Sequence, residues 1–501
     1  MDLTGGEESS THNMQISWPS LNPPAHGYID DGGERPPFVL IEPYACFANL
    51  INGTTASTPI MFDTELEGCS IQVTFCAVHP PDVSYLCVHA VGLGDPLFTN
   101  PPRILATETD GSLLLLCVPI PIPGHPFPLG AYVNSTREEY FVYNPRVPVL
   151  EHLRHPEPGS IPCLVDGTVA IVRKCSQHQH TSNPGRKQQP HRAGVHNLAL
   201  HPHGAGVHNF ALQSHGAGGH KFGLQPHGAG RHDCSNCSYV IAAQSERFGS
   251  DYPCQLYLYH SNTSSWTTPS VVFETPLDNE YQTHKTIFIG GEKGTLAWVD
   301  LSGTIVLWDV LGKGRRKFRQ FQLPGPIDKG SDASTRDIAV LGSSINYVVM
   351  EYFARGWKAT VWSISTNSLP GEGWGIRYHL DSSNLQGLEG EPATAPYIGL
   401  PKLSLQDDGT VFFLKQVDYR DPHQPAWVLA VDMRNKTVQK VAKFIPSGLY
   451  VDYETSRISK YLKVAPGTKQ ITKRPGTPLL KSPSKKHTGD TDDPMTAIDV
   501  C

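Results

Sequence analysis

Between residues 284 and 446 the chain repeats one pattern three times: four short apolar runs in succession, divided by tight polar turns. The first pass reads HKTIFIGG, GTLAWVDLSG, TIVLWDVLG and KFRQFQLP (284–324). The second reads RDIAVLGSS, INYVVMEYF, KATVWSIS and GIRYHLDSS (336–383), and the third LPKLSLQDDG, TVFFLKQVDY, AWVLAVDMRNK and TVQKVAKFIP (400–446). Runs this short, rich in Val, Ile, Phe, Tyr and Trp and bounded by Gly, Asp and Asn, are strands rather than helices. A single sheet of four antiparallel strands cannot bury both of its faces, so repetition at roughly 40–50 residues predicts blades that stack around a common axis.

Earlier segments extend the count. Residues 103–153 (RILATETDG, SLLLLCVPI, EYFVYNP, VPVLEHL) form a fourth unit. A fifth begins at VDGTVAIVRK (165–174) and resumes as SYVIAAQSE, CQLYLYHSN and SWTTPSVVF within 238–273, while 38–98 supplies the strands of a sixth. The predicted fold is therefore all-β, a β-propeller-like toroid of about six four-stranded antiparallel blades spanning 38–462; a pair of β-sandwiches is the competing arrangement. Ring closure should pair an N-terminal strand with the last blade, because an open ring leaves edge strands exposed.

Composition supports this reading and narrows the partners. The 43 prolines and 46 glycines suit many turns better than long helices. A net charge of −6, spread along the chain, offers no field for nucleic acid or anionic lipid. No leader-like h-region opens the chain and no window approaches the ~18 apolar residues of a membrane helix, so the expectation is a soluble monomer, cytoplasmic or nuclear, not secreted. The sequons at Asn52, Asn134, Asn262 and Asn435 should then be unmodified and the eleven cysteines reduced. Cys46, Cys76, Cys87 and Cys117 lie in apolar runs, where a thiol packs as a small hydrophobe.

Inside the fifth unit one phrase recurs: HRAGVHNLALHP from His191, HGAGVHNFALQS from His203, HGAGGHKFGLQP from His215 and HGAGRH from His227. The spacing of five between histidines misses the i, i+4 register and the glycines oppose helix, so no preformed cage follows. Such a tract can still gather zinc, nickel or copper weakly. His227, His232, Cys234 and Cys237 have the chemistry of a tetrahedral zinc set. A structural finger, however, needs about a dozen residues between its ligand pairs, and here one residue intervenes. The segment is expected to be a poorly ordered loop whose ends, near Arg173 and Ser238, return to adjacent strands of one sheet.

The expected organisation is a disordered lead-in (1–37), a first propeller part (38–175), the His/Gly-rich insert (176–237), a second propeller part (238–463) and a tail that is basic, then acidic (464–501). Lys473-Arg474 and Lys485-Lys486 faintly match a bipartite nuclear address, and Thr477 and Ser482, each before Pro, are phosphorylation candidates. GGEKGT (290–295) lacks the Gly-Lys-Ser/Thr ending of a phosphate loop and precedes a strand, so it reads as a hairpin turn. Trp308-Asp309 reads as a strand residue of a half-buried sheet followed by a turn-side carboxylate. No hydrolase, zincin, dinucleotide or kinase motif occurs, so no catalytic or cofactor-binding residue is assigned.

Several of these runs resemble a plant family named domain of unknown function 1618, abundant in grasses. The phrases are FVLIEPYACFAN (38–49), IQVTFCAVHPPDVSYLCVH (71–89), IGGEKGTLAWVDLSGTIVLWDVL (289–311), RDIAV (336–340), AWVLAVDMRNKTV (426–438) and SRISKYL (456–462). The chain departs from the family's usual pattern at Phe38 and Glu42, where Trp and Asp are common, and at Ser302-Gly303-Thr304, where Trp-Arg-Gly is. The resemblance implies no catalytic residues. More distantly the chain is similar to the propeller-like segments that follow F-box motifs in plant ubiquitin-ligase adaptors, but 1–37 holds no F-box pattern. The expected function is a non-enzymatic module that binds a protein partner; the alternatives are a hydrolase or lyase with its site in the propeller channel, and weak metal binding by the insert. A channel converging His, Asp or Glu from several blades would favour the enzyme, and one packed with Val, Ser and Gly the binder.

Overall fold

The computed structural model describes residues 22–462, apart from 31, 61–65, 93–100, 110, 122–135, 154–163, 175–236, 246–254, 271, 274–280, 313–316, 326–332, 369–372, 388–396, 419–423 and 447–450. Six sheets stand around one axis as the blades of a β-propeller. Blade I holds β1 (Val39–Ile41), β2 (Cys46–Phe47), β3 (Ala56–Pro59), β4 (Ser70–Cys76) and β5 (Val83–Val91). Blade II is β6 (Arg103–Thr107), β7 (Leu114–Pro121), β8 (Thr136–Asn144) and β9 (Val149–His152), and blade III is β10 (Val169–Lys174), β11 (Ser238–Gln244), β12 (Leu256–His260) and β13 (Ser265–Thr267). Blade IV contains β14 (Val272–Phe273), β15 (Lys285–Gly290), β16 (Thr295–Asp300), β17 (Thr304–Asp309) and β18 (Lys317–Gln322). Blade V is β19 (Arg336–Leu341), β20 (Ser344–Phe353), β21 (Gly356–Ser365) and β22 (Gly375–Asp381). Blade VI is β23 (Tyr397–Leu403), β24 (Thr410–Gln416), β25 (Ala426–Asp432) and β26 (Thr437–Phe444), after which β27 (Glu454–Ser456) returns to blade I.

Stacking explains why the strands read as nearly continuous apolar runs. In β16 and β17, Leu296, Trp298, Val306 and Trp308 face blade III, where they meet Val172, Val240, Ala242 and Leu258. The intervening Ala297, Val299, Ile305 and Leu307 face blade V and pack on Ile338, Ile345, Tyr347 and Val349. Alternation is thus present, but both faces are dry. The remaining cores join I to II, II to III, V to VI and VI to I, so an apolar interface fills every gap of the ring.

Closure differs in detail from the expectation. Among the described residues no N-terminal strand is added to blade VI; instead β27 becomes the innermost strand of blade I, antiparallel to β1, through Val39–Ser456, Leu40–Thr455 and Ile41–Glu454. β1 in turn lies parallel to β5. Ser459 Oγ donates to the Pro36 carbonyl at 2.8 Å, and Ile458 and Leu462 are buried in the core between blades I and II.

Three further sequence readings are refined. β14, read as the end of the fifth unit, pairs parallel with β18 and caps the outer edge of blade IV. From Asn22 onward the segment read as a disordered lead-in lies against blade I: Ile29 N donates to Ala77 O, Tyr85 Oη donates to Gly27 O, and His26 stands edge-on to Tyr85. A turn-rich stretch shows no periodicity, yet two hydrogen bonds made by its backbone and one ring contact seat it on blade I. The repeat segment enters and leaves as expected, since Lys174 is opposite Ser238 and Arg173 opposite Tyr239 in one antiparallel ladder. The segment therefore connects β10 to β11, neighbouring antiparallel strands of blade III.

The turn readings hold. Residues 291–294 close the β15–β16 hairpin, with Gly294 N donating to Gly291 O. Gly291 and Gly294 have positive φ there, the region glycine enters without strain. Trp308 is buried, and Asp309 accepts a bond from Thr295 Oγ1 at 2.6 Å.

Candidate functional site

β6, β10, β15, β19, β23 and β27 are the inner strands of the six blades, and they surround an axial cavity of about 410 Å³. Its middle is apolar, walled by Ile104, Ile171, Ile287, Ile338 and Val340 from blades II to V. One end is ionic. Lys285 and Glu454 are the first residues of β15 and β27, Asp337 is the second of β19, and Arg103 the first of β6, so these charges gather where the inner strands begin.

The contacts form an incomplete ring that draws on every blade. Lys285 Nζ lies 2.6 Å from Asp337 Oδ1 and 2.9 Å from Glu454 Oε2. Lys402 Nζ bonds Glu454 Oε1 and stands 3.2 Å from Asp452 Oδ1. Asp337 is held from its other oxygen by the Leu403 N–H at 2.8 Å. Across the axis Arg103 joins Asp166 at 3.1 Å and Glu138 at 2.9 Å, tying blade II to blade III. At the opposite end, where the inner strands finish, Arg457 donates to the carbonyls of Val340 and Leu405 and so links blades V and VI to the closing strand.

Protonation follows from this packing. Burial raises the Glu454 carboxyl, but the ammonium groups of Lys285 and Lys402 outweigh it and hold the group down at about 2. Asp452 goes the other way: burial pushes it up, Lys402 offsets only part of that, and the Glu454 charge adds to it. Burial alone would lower both lysines, yet their carboxylate neighbours keep each above its ordinary value. Asp166 is raised by burial despite Arg103. Nearby, His284 Nδ1 lies 3.4 Å from Asp300 Oδ1.

None of these residues was singled out from sequence. They are scattered from Arg103 to Glu454, and each looks like an ordinary polar residue beside a strand. The available signal was a charge at or near the head of an inner apolar run, as in RILAT, KTIFIG and RDIAV. Of the sequence-derived candidates, Cys237 is half-buried just before β11. His227, His232 and Cys234, and the phosphorylation candidates Thr477 and Ser482, lie outside the described residues. Among the described residues no group of three or more His, Cys, Asp or Glu is arranged to hold a metal. Cys46, Cys76 and Cys87 pack together beside Tyr85, where a hydrogen bond with Cys87 and burial push the Cys76 thiol well up.

Fold and channel together define the class: a six-bladed propeller whose inner strands carry an ionic ring at one end of an apolar channel. Residues 298–412, from Trp298 in β16 through blade V to Phe412 in β24, match the model of a family described as protein of unknown function (DUF1618). None of the curated proteins compared with the chain matches it.

Proposed function

We propose that the chain is a non-enzymatic interaction module, a propeller held rigid at its axis that presents a loop face to a protein partner. The observation that carries this reading is the pairing of the axial charges. Carboxylates from several blades do converge, which by itself would favour an enzyme. Each of Asp166, Asp337, Asp452 and Glu454, however, has a lysine or arginine within 3.2 Å. Charges engaged in this way tie blades together. The face on which the inner strands begin also bears Tyr352 and Phe353, 45% and 53% exposed at the tip of the β20–β21 hairpin, and Val417 beyond β24. Exposed aromatic residues on a rigid hairpin tip are the kind of anchor a protein interface uses.

Affinity capture from native tissue, followed by reconstitution of the captured partner with purified chain, tests the reading. The double variant Tyr352→Ser, Phe353→Ser should lose the partner while melting like the parent. Retained binding by that variant overturns the choice of face. A hydrolase or lyase in the channel remains the second reading, favoured by one observation: Asp452 and Glu454 share a cavity with protonation preferences pushed apart, an arrangement suited to acid and base roles. Turnover of any substrate by the parent, abolished in Asp452→Asn, would establish it.

A further inference from the structure

The cavity has a shape and a charge distribution that specify a ligand, whether or not the loop face takes a protein. Around Lys285 and Lys402, three carboxylates (Asp337, Asp452, Glu454) share two ammonium groups. The side chains of Asp452 and Glu454 are each 37% exposed toward the lumen, whereas Lys285 is 19% and Lys402 9% exposed, and Asp337 is buried. Asp452 and Glu454 line the cavity together with Lys285, whereas Lys402 and Asp337 stand behind them. Glu454 has two cationic neighbours and Asp452 one, so Asp452 is the under-neutralised group. The same cavity is lined by Ile104, Ile287, Ile338 and Val340, of which Val340 is the most exposed. Arg457 sits at the far end, engaged by two carbonyls, and sets the polarity: a cationic head belongs beside Asp452, with an uncharged stem running toward Arg457.

We infer that the axial channel binds a protonated amine carried on an apolar stem, with Asp452 as the principal counter-ion. A free alkylamine and a lysine side chain inserted by a partner share this chemistry. Both place an ammonium in a low-dielectric site next to a carboxylate, where a charge-assisted bond is strong, and lay methylenes on the aliphatic wall. The inference does not depend on the interaction-module reading.

Calorimetric titration of the full chain, in phosphate buffer free of other amines, tests it. Hexylammonium should bind with a stoichiometry of one. Hexanol, which keeps the stem and lacks the charge, should bind about tenfold more weakly, and hexanoate should not bind. Asp452→Asn should weaken hexylammonium about tenfold. Val340→Phe, remote from the charges, should weaken it by filling the stem's path, so the assignment does not rest on one variant. The peptide acetyl-Ala-Lys-Ala-amide separates the sources: tighter binding than hexylammonium assigns the site to a partner's lysine, and weaker binding to a free amine. Equal or tighter binding of hexanoate, or hexylammonium affinity unchanged in both variants, overturns the inference. Partner capture that fails while hexylammonium binds overturns the interaction-module reading alone.

Discussion

Blades IV and I reach the same architecture by opposite routes. Four neighbouring strands of blade IV, β15 to β18, come from one stretch, 285–322, and each pairs with its sequence neighbour. Blade I draws its inner strand from 454–456 and the next from 39–41, and a parallel seam joins these to β5. Hairpins such as those of blade IV close short loops, which costs little chain entropy, whereas the β1–β27 pairing must bring the two ends of the propeller together. The seam is three residue pairs long, too short to carry closure by its own hydrogen bonds. The burial of Tyr453, Ile458 and Leu462 and the Arg457 bonds across to blades V and VI make it hold.

The largest test of that contrast is truncation. Ending the chain after residue 450 removes β27, Arg457 and three buried side chains worth about 1.5–3 kcal/mol each. The sum approaches the whole net stability of an ordinary domain, about 5–15 kcal/mol. The truncated chain should fail to give a monomeric, cooperatively melting species by gel filtration and circular dichroism, whereas a chain ending after 462 should melt like the parent. Parent-like melting of the shorter chain would mean that apolar stacking alone closes the ring.

Next in size is the axial pairing. Lys285→Ala leaves Asp337, buried in blade V, without its cation. Breaking a fully buried pair costs about 3–5 kcal/mol, and because the lysine borders a cavity we expect roughly 2–3 kcal/mol from urea midpoints. The same change at Lys293, whose ammonium is 3.9 Å from Asp309 on the surface, should cost under about 1 kcal/mol. If the two variants lose equally, the axial charges do not tie the blades together.

Acidity separates the two lumenal carboxylates. The Glu454 group titrates at about 2 in the folded chain against an ordinary 4.5, so its stabilising contribution is complete above about 4.5 and is lost as pH falls toward 2. Asp452 is raised above its ordinary 3.8, so protonation favours the folded state, and that contribution is lost as pH rises through its folded value. Between pH 4.5 and 2, Glu454→Gln should flatten the fall in urea midpoint and Asp452→Asn should steepen it. Slopes that move together would show that the two groups do not have the environments described.

The contrast between blades also explains what could be read from sequence. Blade IV was legible because its apolar runs and turns are contiguous: Gly291 and Gly294 mark the hairpin, and Trp298 and Trp308 are diagonal neighbours in adjacent strands, their rings stacked at 5.7 Å. Closure was legible only as a need. A three-residue strand such as Glu454-Thr455-Ser456 has no apolar pattern, and its partner lies some 400 positions away, beyond any local rule. The axial ring was hidden for a related reason. Lys285, Asp337, Lys402 and Glu454 meet only after four blades have been placed, and a lone charge beside a strand usually marks a solvated end.

The smallest effect is expected where the sequence is most conspicuous. The repeat enters at Lys174 and leaves at Ser238, residues directly opposite each other in blade III, so the ladder is complete without the segment between them. The entropy of closing a loop grows only with the logarithm of its length, about 0.6 kcal/mol per doubling. Deleting 186–232 shortens this loop roughly fourfold and should stabilise the chain by about 1 kcal/mol, a rise in Tm of no more than about 2 °C. Zinc should leave Tm of the parent unmoved, because a ligand that binds the folded state appreciably must raise it. A marked fall on deletion would show that the segment packs against the blades. A zinc-dependent rise abolished by Cys234→Ser and Cys237→Ser would instead make His227, His232 and the two cysteines a metal site, despite the single residue between their ligand pairs.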